Sequence, residues 1–187
     1  MINVTIHSAG YEQGNSVINN IQFHIQSKEI VGLIGGNGAG KSTTIQSILQ
    51  TIPFFEGDIN IPAYGYVPER PIIYTYYTLR EHIHFLIELM GEDLWDNALK
   101  LCKLFRLHDH LDEYPTSFSK GMQQKVMLIL AFTPNYSFYI LDEPFMGLDP
   151  QAIRRLIILL QERKEAGATI SISTHALDTA ERLCDRF

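Results

Sequence analysis

At 187 residues, with 15 Lys and Arg against 21 Asp and Glu, the chain carries a net charge of −6 and is 45% hydrophobic. That length fits one domain, or one core with a small insertion, and suffices to bury a real interior. The acidic balance argues against a general nucleic-acid binder or a protein held on anionic lipid, both of which carry a basic surplus. The longest apolar run, Val126 to Phe132, has seven residues, far short of the ~20 that cross a bilayer. The N-terminal segment lacks a basic stretch followed by an apolar core, so no secretion signal is expected. Cys102 and Cys184 have no metal-type spacing and fit a reducing interior. The expectation is a soluble, intracellular, globular α/β chain.

In chain order, Ile2, Val4 and Ile6 alternate with polar residues, as do Ile21, Phe23 and Ile25, which predicts two half-buried strands. Ile30 to Ile34 runs apolar and predicts a buried strand. Lys41 to about Leu49 reads as a helix, and Gly57 to Val67 as short strands punctuated by Pro62 and Gly65. Thr78-Leu-Arg-Glu81 has the form of a capping box and opens a predicted helix through Met90. A second helix is expected over Leu94 to Phe105. A third begins at Ser119, with Met122, Val126, Ile129 and Leu130 at helical spacing. Phe138 to Leu141 is a compact apolar strand ending in two acids. Asp149-Pro150 starts a helix striped by Ile153, Leu156, Ile157 and Leu160, and Gly167 ends it. A strand from Ala168 to Ser173 and a short helix after His175 follow. Strand–turn–helix units flanking a helical insert predict an α/β fold with a mainly parallel sheet and a small helical subdomain.

The chemistry starts at Gly35-Gly36-Asn37-Gly38-Ala39-Gly40-Lys41-Ser42, a G-x-x-x-x-G-K-[ST] loop between a buried strand and a helix. Glycines let the backbone curl so that successive N–H groups, through Thr43, converge on an anion, and the following helix adds its dipole. Lys41 supplies a mobile charge for the β- and γ-phosphates, and Ser42 offers a hydroxyl to Mg²⁺. Phe138-Tyr-Ile-Leu-Asp142-Glu143 completes the pair. Asp142 is placed beside the metal and Glu143 as general base for an attacking water, an effect commonly worth about 10²–10⁴-fold. Alone, two acids at a strand end are more simply solvated side chains; the phosphate loop is what favours the functional reading.

Ser117-Phe-Ser-Lys-Gly-Met-Gln-Gln-Lys-Val126 narrows the class. It resembles the signature of ABC-type ATPases, usually Leu-Ser-Gly-Gly-Gln followed by basic and apolar helix residues. Phe118 stands for the Leu, Ser119 and Gly121 match, and Lys120 and Met122 depart. In the family this turn faces the γ-phosphate held by a second subunit. By itself the segment is equally an ordinary Ser-capped helix. The resemblance further implies that Tyr11 stacks on adenine, although a strand-edge tyrosine reads the same. It implies that Gly147-Leu148-Asp149 communicates across a dimer, although Asp149 before Pro150 is also a good N-cap. His175 matches the switch histidine at the γ-phosphate; the other six histidines get no role. Where the family has Gln, this chain has Glu69 after Gly65-Tyr66-Val67-Pro68. Glu69 keeps an oxygen for Mg²⁺ and loses an amide donor. Glu at this position is similar to a branch of bacterial exporter-type ATPases that includes the Ecs subunits. Tyr74, Tyr76 and Tyr77 fall where the family receives a helix from a membrane-embedded partner, or else pack between subdomains.

The whole chain is thus identified as similar to the ATP-binding subunit of an ABC transporter. The fold implied is a P-loop NTPase core with an N-terminal antiparallel β subdomain. One domain is expected, with 1–77 and 133–187 forming the β subdomain and core and 78–132 the helical subdomain. The resemblance implies ATP and Mg²⁺ as cofactors, and a homodimer or heterodimer with a second ATP-binding subunit. It also implies an integral membrane permease as partner, no nucleic acid, and a location at the cytoplasmic face of the membrane. Lys41, Glu143 and His175 are the expected catalytic residues, and Ser42, Glu69 and Asp142 the metal ligands. Gly35 to Thr43, Tyr11, Ser119 and Gly121 are expected on nucleotide. A non-transport ABC ATPase and a regulatory module with little turnover remain the alternatives. Because such cassettes continue past the switch histidine, a C-terminal part is expected to be missing.

Overall fold

Alternation of apolar and polar residues makes β1 (Ile2–Gly10) and β2 (Ile18–Ile25) one-sided strands, and β1 pairs antiparallel with both β2 and β4 (Phe54–Ile59). The resulting three-stranded sheet has the order β2-β1-β4. Val4, Ile6, Ala9 and Ile25 point inward and are fully buried, each large aliphatic contributing about 1.5–3 kcal/mol relative to exposure. The computed structural model describes residues 1–187 and divides into two compact units.

The first unit comprises Met1–Tyr64, Ser137–Glu143 and Glu162–Phe187. Besides the antiparallel sheet it holds β3 (Ile30–Ile34), α1 (Lys41–Ile48), β6 (Phe138–Asp142), β7 (Thr169–Thr174) and α6 (Leu177–Leu183). β7 lies between β3 and β6 and is parallel to both. A continuous apolar run suits a strand covered on both faces, and β6 has one; β7 alternates hydroxyl residues with isoleucine, yet every residue of both strands is buried. At the end of the chain, Gly32 N–H donates to the Arg186 carbonyl at 2.9 Å and Ile30 N–H to Asp185 Oδ2 at 2.8 Å.

The second unit, Gly65–Tyr136 and Pro144–Gln161, is mostly helical. It contains α2 (Leu79–Met90), α3 (Trp95–Leu104), α4 (Lys120–Phe132) and most of α5 (Pro150–Glu165); β5 (Tyr64–Val67) straddles the division. Thr78 and Glu81 form the predicted capping box: Thr78 Oγ1 accepts from Glu81 N–H at 3.2 Å while Glu81 Oε2 accepts from Thr78 N–H at 2.7 Å. Such a cap contributes about 1 kcal/mol. Gly91, at φ 67°, closes the helix. α4 is buried on nearly all sides, including Val126, Leu128, Ile129 and Phe132. In α5 the buried stripe is Ala152, Leu156, Leu159 and Leu160 rather than the expected Ile153, Leu156, Ile157 and Leu160. The helix is apolar at every position from 156 to 160, so sequence spacing alone leaves the phase of its stripe undetermined.

These elements make an α/β fold with a parallel sheet, an antiparallel β subdomain and a helical part.

Candidate functional site

The phosphate loop joins the buried strand β3 to α1, and its conformation needs its glycines. Gly38 and Gly40 sit at φ 82° and 88°, which other residues adopt at a cost. A Cβ on Gly35 would approach the Ala39 side chain to 2.8 Å. Lys41 folds back over the loop, its ammonium donating to the carbonyls of Gly35 at 2.7 Å and Gly36 at 3.3 Å. α1 begins at Gly40 with no side-chain cap and no acidic residue in its first turn. Its first N–H groups therefore present partial positive charge with no side chain answering it, which is what an anion seeks.

Two strands away, β6 ends in Asp142 and Glu143, which are 5% and 8% exposed. The Ser173 hydroxyl, at the end of β7, donates to Asp142 Oδ1. Glu143 N–H is held by the Ser173 carbonyl at 3.1 Å and its Oγ at 3.2 Å. Glu143 itself adopts φ 47°, a left-handed conformation costing about 1–2 kcal/mol for an L-residue. Its Oε1 lies 3.0 Å from His175 Nδ1 and 3.8 Å from Lys41 Nζ. Because a carboxylate only accepts, that contact requires the proton on His175 Nδ1, leaving Nε2 for another partner. The structure thus gathers Lys41, Asp142, Glu143 and His175 within one unit. Ser173 joins them without having been singled out in the sequence; it is one of four hydroxyl residues in β7, which reads Thr-Ile-Ser-Ile-Ser-Thr, so residue type alone does not mark it. Tyr11, also in this unit, is 51% exposed.

The remaining site candidates lie in the other unit. Ser119 caps α4, its Oγ accepting from Met122 N–H at 3.3 Å, and is exposed. Asp149 caps α5 through Oδ1, which accepts from Ala152 N–H at 2.9 Å and Gln151 N–H at 3.0 Å, while Oδ2 pairs with Lys125 Nζ at 3.0 Å. The hydrogen bond from Ala152, then the Lys125 ammonium, pull the Asp149 pKa down to about 2. Glu69, Arg70, Lys120, Gln124 and Gly147 share a cavity of about 450 Å³. Gln124 is 2% exposed and its Nε2 has no hydrogen-bond partner. In the same unit, Ile72, Tyr74, Tyr76 and Tyr77 are exposed, Tyr76 to 86%. His82 holds this loop from beneath: its Nε2 accepts from Tyr74 N–H at 3.0 Å and its Nδ1 donates to the Thr78 carbonyl at 2.8 Å. The sequence reading gave His82 no role.

No group of three or more His, Cys, Asp or Glu converges to hold a metal by itself. Ser42 and Asp142, both in the first unit, nevertheless offer oxygen donors, the hard ligand type that Mg²⁺ takes in small number beside substrate phosphates; Glu69, a third oxygen donor, belongs to the other unit.

A glycine loop closing on a buried parallel strand, with carboxylates at the end of another strand of that sheet, defines a P-loop NTPase. Comparison with known proteins narrows this class. The family model described as ABC transporter matches residues 18–146, and the chain belongs to that family as an ATP-binding domain. It is 43% identical to the uncharacterized ABC transporter ATP-binding protein YthP of Bacillus subtilis (strain 168), over all of this chain and 81% of that protein. It is 40% identical to the ABC-type transporter ATP-binding protein EcsA of the same organism, over all of this chain and 82% of the relative. A solved structure of the ATP binding subunit of an ABC transporter superposes with a TM-score of 0.91 at 39% identity, covering 99% of this chain and 84% of that one. The likeness to EcsA agrees with the branch suggested by Glu69. No helix is long and apolar enough to cross a membrane.

Proposed function

We propose that this chain hydrolyses ATP and powers a separate membrane-spanning permease, two ATP-binding subunits closing head-to-tail around two nucleotides. The observation that carries the reading is the Glu143 carboxylate, buried beside Lys41 and His175 at the mouth of the phosphate loop. In this reading the loop N–H groups from Gly35 to Thr43 bind the phosphates, and Lys41 exchanges its carbonyl partners for them. Tyr11, half exposed, stacks on the base. Glu143 accepts the proton of the attacking water through the oxygen that His175 now contacts, and His175 Nε2 is left to address the γ-phosphate. Ser42, Asp142 and Glu69 would hold Mg²⁺, which supplies charge neutralisation across the transferred phosphate.

The head-to-tail pairing is supported by Ser119, an exposed cap whose helix start bears the partial positive charge that suits a partner's phosphate. Gly121 follows it in the same turn. The exposed tyrosines and Ile72 are the apolar surface offered to the permease, which would hold the protein at the cytoplasmic face of the membrane. One experiment tests the whole reading. Glu143→Gln, purified and passed over a sizing column, is expected to shift from monomer to dimer on adding MgATP, and the wild-type protein to co-purify with an integral membrane protein. Absence of an ATP-dependent dimer would overturn the proposal.

A further inference from the structure

Ser173 is fully buried in β7, next to both acids at the end of β6. The parallel register sets it beside Asp142 on one side and beside Leu33 of β3 on the other. Leu33 has no hydrogen-bonding side chain, so the hydroxyl turns toward β6. There it donates to Asp142 Oδ1 and accepts from Glu143 N–H at 3.2 Å. The direction of this relay is fixed, because an amide only donates and a carboxylate only accepts. One hydroxyl therefore holds the side chain of the first acid and the backbone of the second. Alternate residues of a strand face the same way, so Ser171 provides a contrast. It is 1% exposed and lies beside Ile140, and its Oγ has no hydrogen-bond partner.

The end of β7 holds Glu143 at further points. Glu143 N–H also meets the Ser173 carbonyl at 3.1 Å, and His175 Nδ1 meets Glu143 Oε1 at 3.0 Å. The His175 side chain is 59% exposed, so the buried anchor is Ser173. Glu143 keeps φ 47°, a conformation that persists only where the surroundings impose it. Hydrogen bonds away from water are strong when made and costly when one partner is withdrawn. Both acids lean in this way on one oxygen atom.

We propose that Ser173 is a positioning residue for the two carboxylates. Its hydroxyl sets the orientation in which Asp142 receives the metal and the backbone from which Glu143 addresses the attacking water. The inference deepens the functional reading above and rests on it for the roles of Asp142 and Glu143; the hold on the Glu143 amide can be tested without nucleotide.

Ser173→Thr and Ser173→Val introduce side chains of one shape, of which only threonine carries the hydroxyl, and Ser171→Ala is the control. Three measurements compare them with wild type. These are amide hydrogen exchange at Glu143 in the nucleotide-free protein, Mn²⁺ affinity of the ATP-bound protein by electron paramagnetic resonance, and kcat for ATP hydrolysis. Ser173→Val is expected to speed exchange at Glu143 at least fivefold and to weaken Mn²⁺ and lower kcat at least tenfold each. Its binding of ATP without metal should change less than twofold. Ser173→Thr should stay within threefold of wild type throughout, and Ser171→Ala within twofold. Equal values for Ser173→Thr and Ser173→Val in any of the three measurements overturn the proposal. If either variant fails to fold, Ser173→Ala is set against Ser171→Ala, and equal exchange at Glu143 overturns it. A wild-type protein that does not hydrolyse ATP defeats the functional reading instead, and exchange at Glu143 still decides the positioning.

Discussion

Glu143 Oε1 stands between two nitrogens, 3.0 Å from His175 Nδ1 and 3.8 Å from Lys41 Nζ. The candidate base is therefore already oriented by a histidine, within reach of the lysine of the phosphate loop. Glu143→Gln preserves the shape but cannot take a proton, so phosphate release is expected to fall by about 10²–10⁴-fold with ATP binding retained. His175→Ala removes one hydrogen bond to a charged group, worth about 1.5–3 kcal/mol. A ten- to hundredfold slower single turnover is expected; an unchanged rate would remove His175 from the mechanism.

Glu69 brings a charge to a position where the family has an amide. If its carboxylate contacts Mg²⁺, Glu69→Gln weakens the metal and shifts the Mg²⁺ dependence of hydrolysis to higher concentration. A titration curve indistinguishable from wild type removes Glu69 from the metal site.

Asp149 serves two partners through separate oxygens. Asp149→Ala loses the cap and is expected to cost about 0.5–2 kcal/mol in denaturant unfolding, whereas Asp149→Asn keeps most of it. With the folded-state pKa near 2 against an ordinary 3.8, the carboxylate contributes its stabilisation in full above pH 3.8. That contribution is lost as pH falls through 2. The side chain is 53% exposed, so the ionic share of this loss is small, and wild type and Asp149→Asn should converge in acid.

The helix starts at Thr78, Ser119 and Asp149 and the phosphate loop were legible in the sequence because each is written within a few consecutive residues. The parallel sheet followed less directly, from the order of strand–turn–helix units, and the pairing of β3 and β6 with β7 was not legible, since β7 alternates hydroxyl residues with isoleucine. His82 was passed over because its partners are backbone groups of Tyr74 and Thr78, which leave no mark on residue type. The stripe of α5 failed in another way, through an excess of apolar residues rather than a lack of signal.

His82 offers a direct check on the tyrosine loop. His82→Leu fills the buried space but leaves Tyr74 N–H without its acceptor and the Thr78 carbonyl without a donor. Faster exchange at Tyr74 and weaker co-purification of a membrane partner are expected, with ATP binding to the isolated subunit unaltered.

Burial, the sole cause at Cys102 and the larger cause at Cys184, where the Asp185 charge adds to it, pushes both thiols up to about 11. At pH 8 the thiolate fraction is then on the order of one in a thousand. Alkylation of the folded protein is expected to be negligible at pH 8 and to rise only as pH climbs toward 11, measured by mass of the intact chain.

The left-handed backbone at Glu143 has a consequence for how this domain can be improved. Glycine takes that conformation without penalty, so Glu143→Gly should relax the chain there, and selection for thermostability alone would drift toward it. With Glu143 as the base in the proposed function, selection for turnover would hold the glutamate in place. Stability and activity would then pull in opposite directions on one residue, and screens that score only melting temperature would favour inactive variants at this position.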